Sequence, residues 1–268
     1  MPTTCALANQ KGGTGKTTVT VHVGHELARL GLRVLVVDAD PQATATMVTG
    51  TEAEGDPALL DVLLGDVGAA EAVRRSDAWG FDVLPSSIPL ARYEQVMTPG
   101  AEFGVREALE PVAESYDVIL IDCPPSLGRL TVAGLLASHR LVMVADPAGP
   151  AVRGCSDLMD TLALVRRRLH PSLELGGVVV NRNTPTREAG LRVAELGEMF
   201  GGDLWMPYVP ARTAVSEALG CGHPVRDLPG EGAAAATAAF EALAQHFASL
   251  SDNLATAVPS YLATGGGE

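Results

Sequence analysis

A glycine-rich segment carrying two lysines constrains this chain more than any other feature. Residues 9 to 18 read Asn9-Gln10-Lys11-Gly12-Gly13-Thr14-Gly15-Lys16-Thr17-Thr18, directly after the apolar run Cys5-Ala6-Leu7-Ala8. Glycines in this pattern leave backbone N–H groups free to converge on phosphate oxygens. A helix starting behind them aims its positive N-terminal end at the same point. Lys16 then reaches the β- and γ-phosphates of a nucleotide, and the Thr17 hydroxyl ligates Mg2+. Gly12, Gly13, Thr14, Gly15, Lys16, Thr17 and Thr18 are the candidate binding group. The ordinary pattern has glycine at position 10. Here Gln10 fills that place and Lys11 stands next to it. Of 19 Lys+Arg residues, only Lys11 and Lys16 are lysine. A bias toward arginine explains the rest of the chain but not where these two lysines sit.

A chain of 268 residues that is 47% hydrophobic can bury a full core without disulfides or metals. We expect one α/β domain over residues 1–251 and a flexible tail over 252–268. No apolar run is long enough for a transmembrane helix, and no signal peptide precedes the first strand. Cys5, Cys123, Cys155 and Cys221 have no metal-site spacing, which fits reduced thiols in a cytoplasmic protein. Cys5 and Cys155 read as small core fillers. A net charge of −13 argues against a globally basic nucleic-acid binder, though not against a local arginine patch.

Apolar β-rich runs alternate with helix-period segments, the pattern of βαβ units and a parallel sheet. Strands are expected at residues 3–8, 33–38, 81–84, 117–122, 140–146, 175–181 and 204–209. Helices are expected at 16–30, 103–114, 152–169, 186–200 and 232–250. The acidic stretch 52–77 reads as short surface helices, one of them at 59–64.

Strand 33–38 leads into Asp38-Ala39-Asp40-Pro41-Gln42, and strand 117–122 ends in Asp122-Cys123-Pro124-Pro125. Carboxylates at the carboxyl ends of parallel strands face the nucleotide crevice. One of the pair Asp38 and Asp40 can hold a Mg2+-bound water while the other orients an attacking water; the alternative is a pair of turn-forming aspartates. Asp122 follows a run of apolar β-formers and would bind Mg2+ through water, unless it only caps the next segment.

The segment from Lys11 to Thr18, with Val37-Asp38-Ala39-Asp40-Pro41-Gln42 and Ile121-Asp122-Cys123-Pro124-Pro125, resembles the ParA family of deviant-Walker partition ATPases, cousins of MinD. The late segment Val209-Pro210-Ala211-Arg212-Thr213-Ala214-Val215-Ser216-Glu217-Ala218, followed by Gly222-His223-Pro224-Val225, resembles that family in the same order. The likeness runs from about residue 3 to about residue 250 and suits the short chromosomal type without an N-terminal DNA-binding domain. It implies a P-loop NTPase fold, a doubly wound, mostly parallel sheet with helices on both faces. It also implies ATP and Mg2+ as cofactors and a homodimer that sandwiches two nucleotides. Lys11 would cross to the partner's nucleotide, Asp40 would position water, and Thr17, Asp38 and Asp122 would lie on the Mg2+ side. Asn181 would read the base, with Pro210 near the adenine, although Asn181 can also be read as a turn residue.

The resemblance further implies non-specific DNA binding in the ATP state, a ParB-type partner, and a nucleoid-associated place in the cytoplasm. Candidate DNA contacts are Arg182, Arg187, Arg192, Arg212 and Arg226; the plain alternative is a solvated face. Ala214 stands where the family often has a further basic residue. Arg166-Arg167-Arg168 complements a helix dipole first. A MinD-like membrane cycler would need a basic amphipathic C-terminus, and residues 252–268 contain no Lys or Arg. A nitrogenase-reductase-like carrier would need a second well-placed cysteine besides Cys123. A ParA-like positioner of protein cargo would use the same ATPase and DNA steps with a different partner.

Overall fold

The computed structural model describes residues 2–52, 55–148 and 151–250; the segment 252–268, expected as a tail, lies outside them. The chain opens with β1 (Thr3–Ala8), α1 (Lys16–Arg29) and β2 (Val34–Asp38). Three short helices follow: α2 (Thr44–Val48), α3 (Leu59–Leu64) and α4 (Ala69–Ala72). Then come β3 (Arg74–Ser76), β4 (Phe81–Leu84), α5 (Gly104–Leu109), β5 (Val118–Asp122), α6 (Arg129–Leu136) and β6 (Arg140–Ala145). The last part holds α7 (Ala151–Arg168), β7 (Glu174–Val180), α8 (Arg187–Phe200), β8 (Leu204–Trp205), α9 (Thr213–Cys221) and α10 (Glu231–Ser249).

These strands form one eight-stranded sheet in the order β3-β4-β2-β5-β1-β6-β7-β8. Every pairing is parallel except β3 with β4. β1 lies near the middle, every residue buried, as expected of a strand covered on both faces. Side chains alternate between the two faces. Ala6, Leu35, Val37, Ile119, Ile121 and Met143 point to one face, against Leu59 of α3, Leu130 of α6, Leu158 of α7 and Leu196 of α8. Leu7, Val36, Leu120 and Val144 point to the other, against Val19 and Leu27 of α1, Ala218 of α9 and Phe240 of α10. The fold is thus the expected α/β class, with helices on both faces of the sheet.

Several elements depart from the sequence reading. The helix expected at 103–114 is only α5, flanked by short 3-10 turns at Ala101–Phe103 and Ala113–Ser115; Pro111 cannot continue a helix. The strand expected at 204–209 stops at Trp205, because Pro207 has no N–H for the ladder. β3 is an unexpected antiparallel edge whose two arginines suit an unpaired border. α6 is also unexpected. Its valine, threonine and glycine weaken any helical signal, and tertiary contacts fix it. Glu94 accepts hydrogen bonds from the Arg129 and Leu130 N–H groups at 2.7 and 3.3 Å. A β-carbon at Gly134 would stand 2.9 Å from the Cys123 sulfur.

Candidate nucleotide site

The phosphate loop leaves β1 and enters α1 through Gly13 and Gly15, whose φ angles of 79° and 82° are left-handed and favour glycine. No side chain caps the first turn of α1, so its N–H groups stay open to an anion. Lys16 is buried and begins α1, whereas Lys11 is exposed. The Thr17 hydroxyl donates to Asp122 Oδ2 at 2.6 Å. One turn on, the Thr20 hydroxyl lies 3.3 Å from Asp122 Oδ1. Burial pushes the Asp122 carboxyl up to about 6, opposed by the Thr17 hydrogen bond and the charge of Lys16.

Parallel register sets Asp38 of β2 level with Asp122 of β5. Burial, and then the charge of Asp122, pushes Asp38 up to about 7. Its oxygens are engaged within the fold. Oδ2 accepts from the Thr46 N–H and hydroxyl, each at 2.8 Å, and Oδ1 accepts from the Asp40 N–H at 3.2 Å. Asp38 therefore shapes the Asp40 turn and anchors α2, while Asp122 is the carboxylate that touches Thr17. Asp40 is partly exposed. Its Oδ1 accepts from the Gln42 N–H at 2.9 Å, and its carbonyl accepts from the Ser86 hydroxyl at 2.7 Å.

On the other side of the loop, the Lys11 ammonium donates to the Ala148 carbonyl at 2.9 Å. Buried Asn9 braces that stretch: Oδ1 accepts from the Lys11 N–H at 2.9 Å, and Nδ2 donates to the Val144 carbonyl at 2.7 Å. Asn181, buried at the end of β7, donates from Nδ2 to the Thr14 carbonyl at 2.8 Å. Thr18, Asn181, Arg182, Pro210 and Arg212 line a narrow cleft beside the start of α1.

The five arginines expected to face DNA separate into groups. Arg192 holds both Glu195 oxygens, at 2.7 and 2.8 Å. Arg226 is held by Glu26, at 2.8 and 3.1 Å, and by Glu241, tying α1 to α10. Their charges are matched inside the fold. Arg182, Arg187 and Arg212 are exposed, and Arg182 donates to the Gly13 carbonyl at 2.8 Å.

The sequence assigned no role to Asn9, Thr20, Thr46 or Ser86. Thr20 left a local signal, being three residues beyond Thr17 on the same helical face. Asn9 braces the nearby Lys11 N–H but reaches Val144 across the sheet, Thr46 meets Asp38 eight residues back, and Ser86 meets Asp40 across a long separation.

A family model described as an AAA domain matches residues 2–175. The sporulation initiation inhibitor protein Soj of Bacillus subtilis is 37% identical over 224 residues, covering 82% of this chain and 88% of its own length. The chromosome partitioning protein ParA of Caulobacter vibrioides is 35% identical over 226 residues, covering 82% and 85%.

The chain belongs to the ParA family.

Among solved structures, cobyrinic acid a,c-diamide synthase of Mycobacterium smegmatis with bound ADP and magnesium superposes with a TM-score of 0.79 at 32% identity, covering 94% of this chain and 97% of its own. A McdA–ATP complex from Cyanothece has a TM-score of 0.84 at 22% identity, covering 92% and 96%, a likeness of fold. In this ParA-family chain the oxygens of Thr17 and Asp122 lie together and are hard donors of the kind that suits Mg2+ held jointly with phosphate oxygens. No group of three or more His, Cys, Asp or Glu among the described residues could hold a metal alone. Cys123 is a core thiol, pushed up to about 12 by burial. No helix among the described residues is long and apolar enough to cross a membrane.

Proposed function

We propose that this chain is a Mg2+- and ATP-dependent ATPase that dimerises around two nucleotides, binds DNA non-specifically in that state, and moves a DNA cargo with a ParB-type partner. One observation carries the reading. The loop holds two lysines in opposite situations: Lys16 is buried at the head of α1, and Lys11 is exposed, its ammonium resting on the Ala148 carbonyl. A buried lysine serves the nucleotide of its own loop. An outward lysine, released from one backbone carbonyl, is placed to neutralise phosphates that a second subunit brings.

In this mechanism Lys16 grips the β- and γ-phosphates, and the loop N–H groups share their charge. Mg2+, held by the Thr17 hydroxyl and by water on Asp122, would offset negative charge building on the phosphates. Asp40, partly exposed at the tip of the β2 loop, orients the attacking water. Asp38 holds that tip in place through the Asp40 N–H and Thr46. Turnover by the protein alone is slow, because much of the charge stabilisation that phosphoryl transfer depends on is left to the dimer, through the second subunit's Lys11, and to the ParB-type partner. Of the five candidate arginines, Arg182, Arg187 and Arg212 remain able to meet DNA. With a net charge of −13, they give modest and strongly salt-dependent affinity.

The test is binding of purified protein to non-specific duplex DNA at low salt, with ATP, ADP or no nucleotide. Binding only with ATP, fading as salt rises, is the expected result. ATP-driven dimers that leave DNA untouched would overturn the DNA step and redirect attention to protein partners.

A further inference from the structure

Glycine gives the phosphate loop the freedom to curl, and the same freedom lets its peptide planes flip away from a phosphate. Something outside the loop has to fix them. Two consecutive residues at the end of β7 touch two consecutive carbonyls of the loop: Arg182 donates to Gly13 O and Asn181 donates to Thr14 O, both at 2.8 Å. In a trans peptide the N–H points opposite to the C=O. Holding the Gly13 carbonyl therefore turns the Thr14 N–H the other way, and holding the Thr14 carbonyl does the same for the Gly15 N–H. We propose that Arg182 is a positioning residue that, together with Asn181, locks these two peptide planes with their N–H groups aimed at the phosphates.

The backbone at Arg182 supports this role. Successive side chains of a strand point to opposite sides, so two neighbours reach one loop only if the chain turns between them. Arg182 has a φ of 57°, a left-handed conformation uncommon for a residue with a β-carbon. Its neighbours pin it there. The Asn181 N–H donates to the Ala145 carbonyl at 2.8 Å, and the Asn183 N–H donates to the Val209 carbonyl at 2.9 Å. Such a conformation persists only where the surroundings over-determine it, and here it delivers a guanidinium to the phosphate loop. Contact on the Asn181 side is close, since a β-carbon at Gly15 would stand 2.1 Å from Asn181 Nδ2.

This role presupposes that the loop binds a nucleotide's phosphates. Arg182→Gly separates the guanidinium from the backbone, because glycine accepts the left-handed φ without strain. Arg182→Lys restores a donor. Affinities for MgATP, MgADP and adenosine are measured by calorimetry or competition, with Lys16→Ala as the reference for loss of phosphate binding, and DNA binding is measured in parallel. Arg182→Gly should weaken MgATP and MgADP about fivefold, the equivalent of one ordinary hydrogen bond. Adenosine affinity and melting temperature should hold, and Arg182→Lys should recover most of the loss. Wild-type MgATP affinity in Arg182→Gly would overturn the role, and if ATP-dependent DNA binding vanished at the same time, Arg182 would be a DNA contact instead. An equal loss for adenosine would overturn it in favour of contact with the base. Wild-type protein that binds no MgATP, or binds no better than Lys16→Ala, would instead remove the nucleotide site itself, and this role with it.

Discussion

His22 lies on α1, sealed between α10 and the loop that carries Trp79. It is 2% exposed. Its ring stacks on Phe240 at 4.4 Å and meets Trp79 edge-on at 5.1 Å. Nδ1 donates to the Thr18 carbonyl at 2.8 Å, and Nε2 accepts from the Val225 N–H at 3.2 Å, so the neutral ring satisfies both partners and a second proton would have nowhere to go. Burial, partly opposed by the Thr18 contact, lowers its pKa from 6.5 to about 4. As pH falls, the unfolded chain takes up the proton first. The stability held by the neutral ring is therefore complete above about pH 6.5 and is lost as pH falls toward 4. The full difference corresponds to about 3 kcal/mol, of which about 2 kcal/mol is already gone at pH 5. Asp38 and Asp122 act in the opposite sense: their raised pKa values mean that the folded state gains as pH falls. The measurement is therefore a difference. Urea unfolding of wild type and His22→Gln is compared at pH 8 and pH 5. The stability advantage of wild type should shrink by about 2 kcal/mol between the two. An advantage that stays constant, or an NMR titration of His22 near 6.5, would refute the buried neutral ring.

Three further outcomes are expected. Gly15→Ala combines a left-handed φ, costing a β-carbon about 1–2 kcal/mol, with displacement of Asn181 from a buried hydrogen bond, costing about 1–3 kcal/mol. Calorimetry should show MgATP affinity down at least tenfold, and unchanged affinity would mean that the loop relaxes freely. Lys11→Ala should bind MgATP but stay monomeric on a sizing column and fail to hydrolyse; wild-type turnover would remove Lys11 from the partner's site. Asp40→Ala should still dimerise with ATP, while phosphate release falls at least about a hundredfold; a monomer in ATP would count against its role as a water-positioning group.

Much of this protein was legible because its signals are local. The order Gly12-Gly13-Thr14-Gly15-Lys16-Thr17 fixes a turn and a helix start within one short stretch. The apolar runs before Asp38 and Asp122 place both carboxylates at strand ends, where the parallel register then brings them level. What escaped the sequence depends on contacts between distant segments. α6 forms where Glu94 caps it and Cys123 demands a glycine. Asp38 carries the same residue type and strand position as Asp122, yet Thr46 and the Asp40 N–H occupy it, while Thr17 falls to Asp122. Arg226 looks like Arg187 and Arg212 on paper, and only the folded chain reveals that Glu26 and Glu241 already match it, whereas Glu195 sits three residues along the same helix from Arg192. The sequence alone determined the α/β class and the phosphate loop, because hydrophobic period and glycine placement are properties of neighbouring residues. Tertiary structure decided which of several equivalent aspartates and arginines remain available, because a charge is spent or free according to what the fold packs beside it.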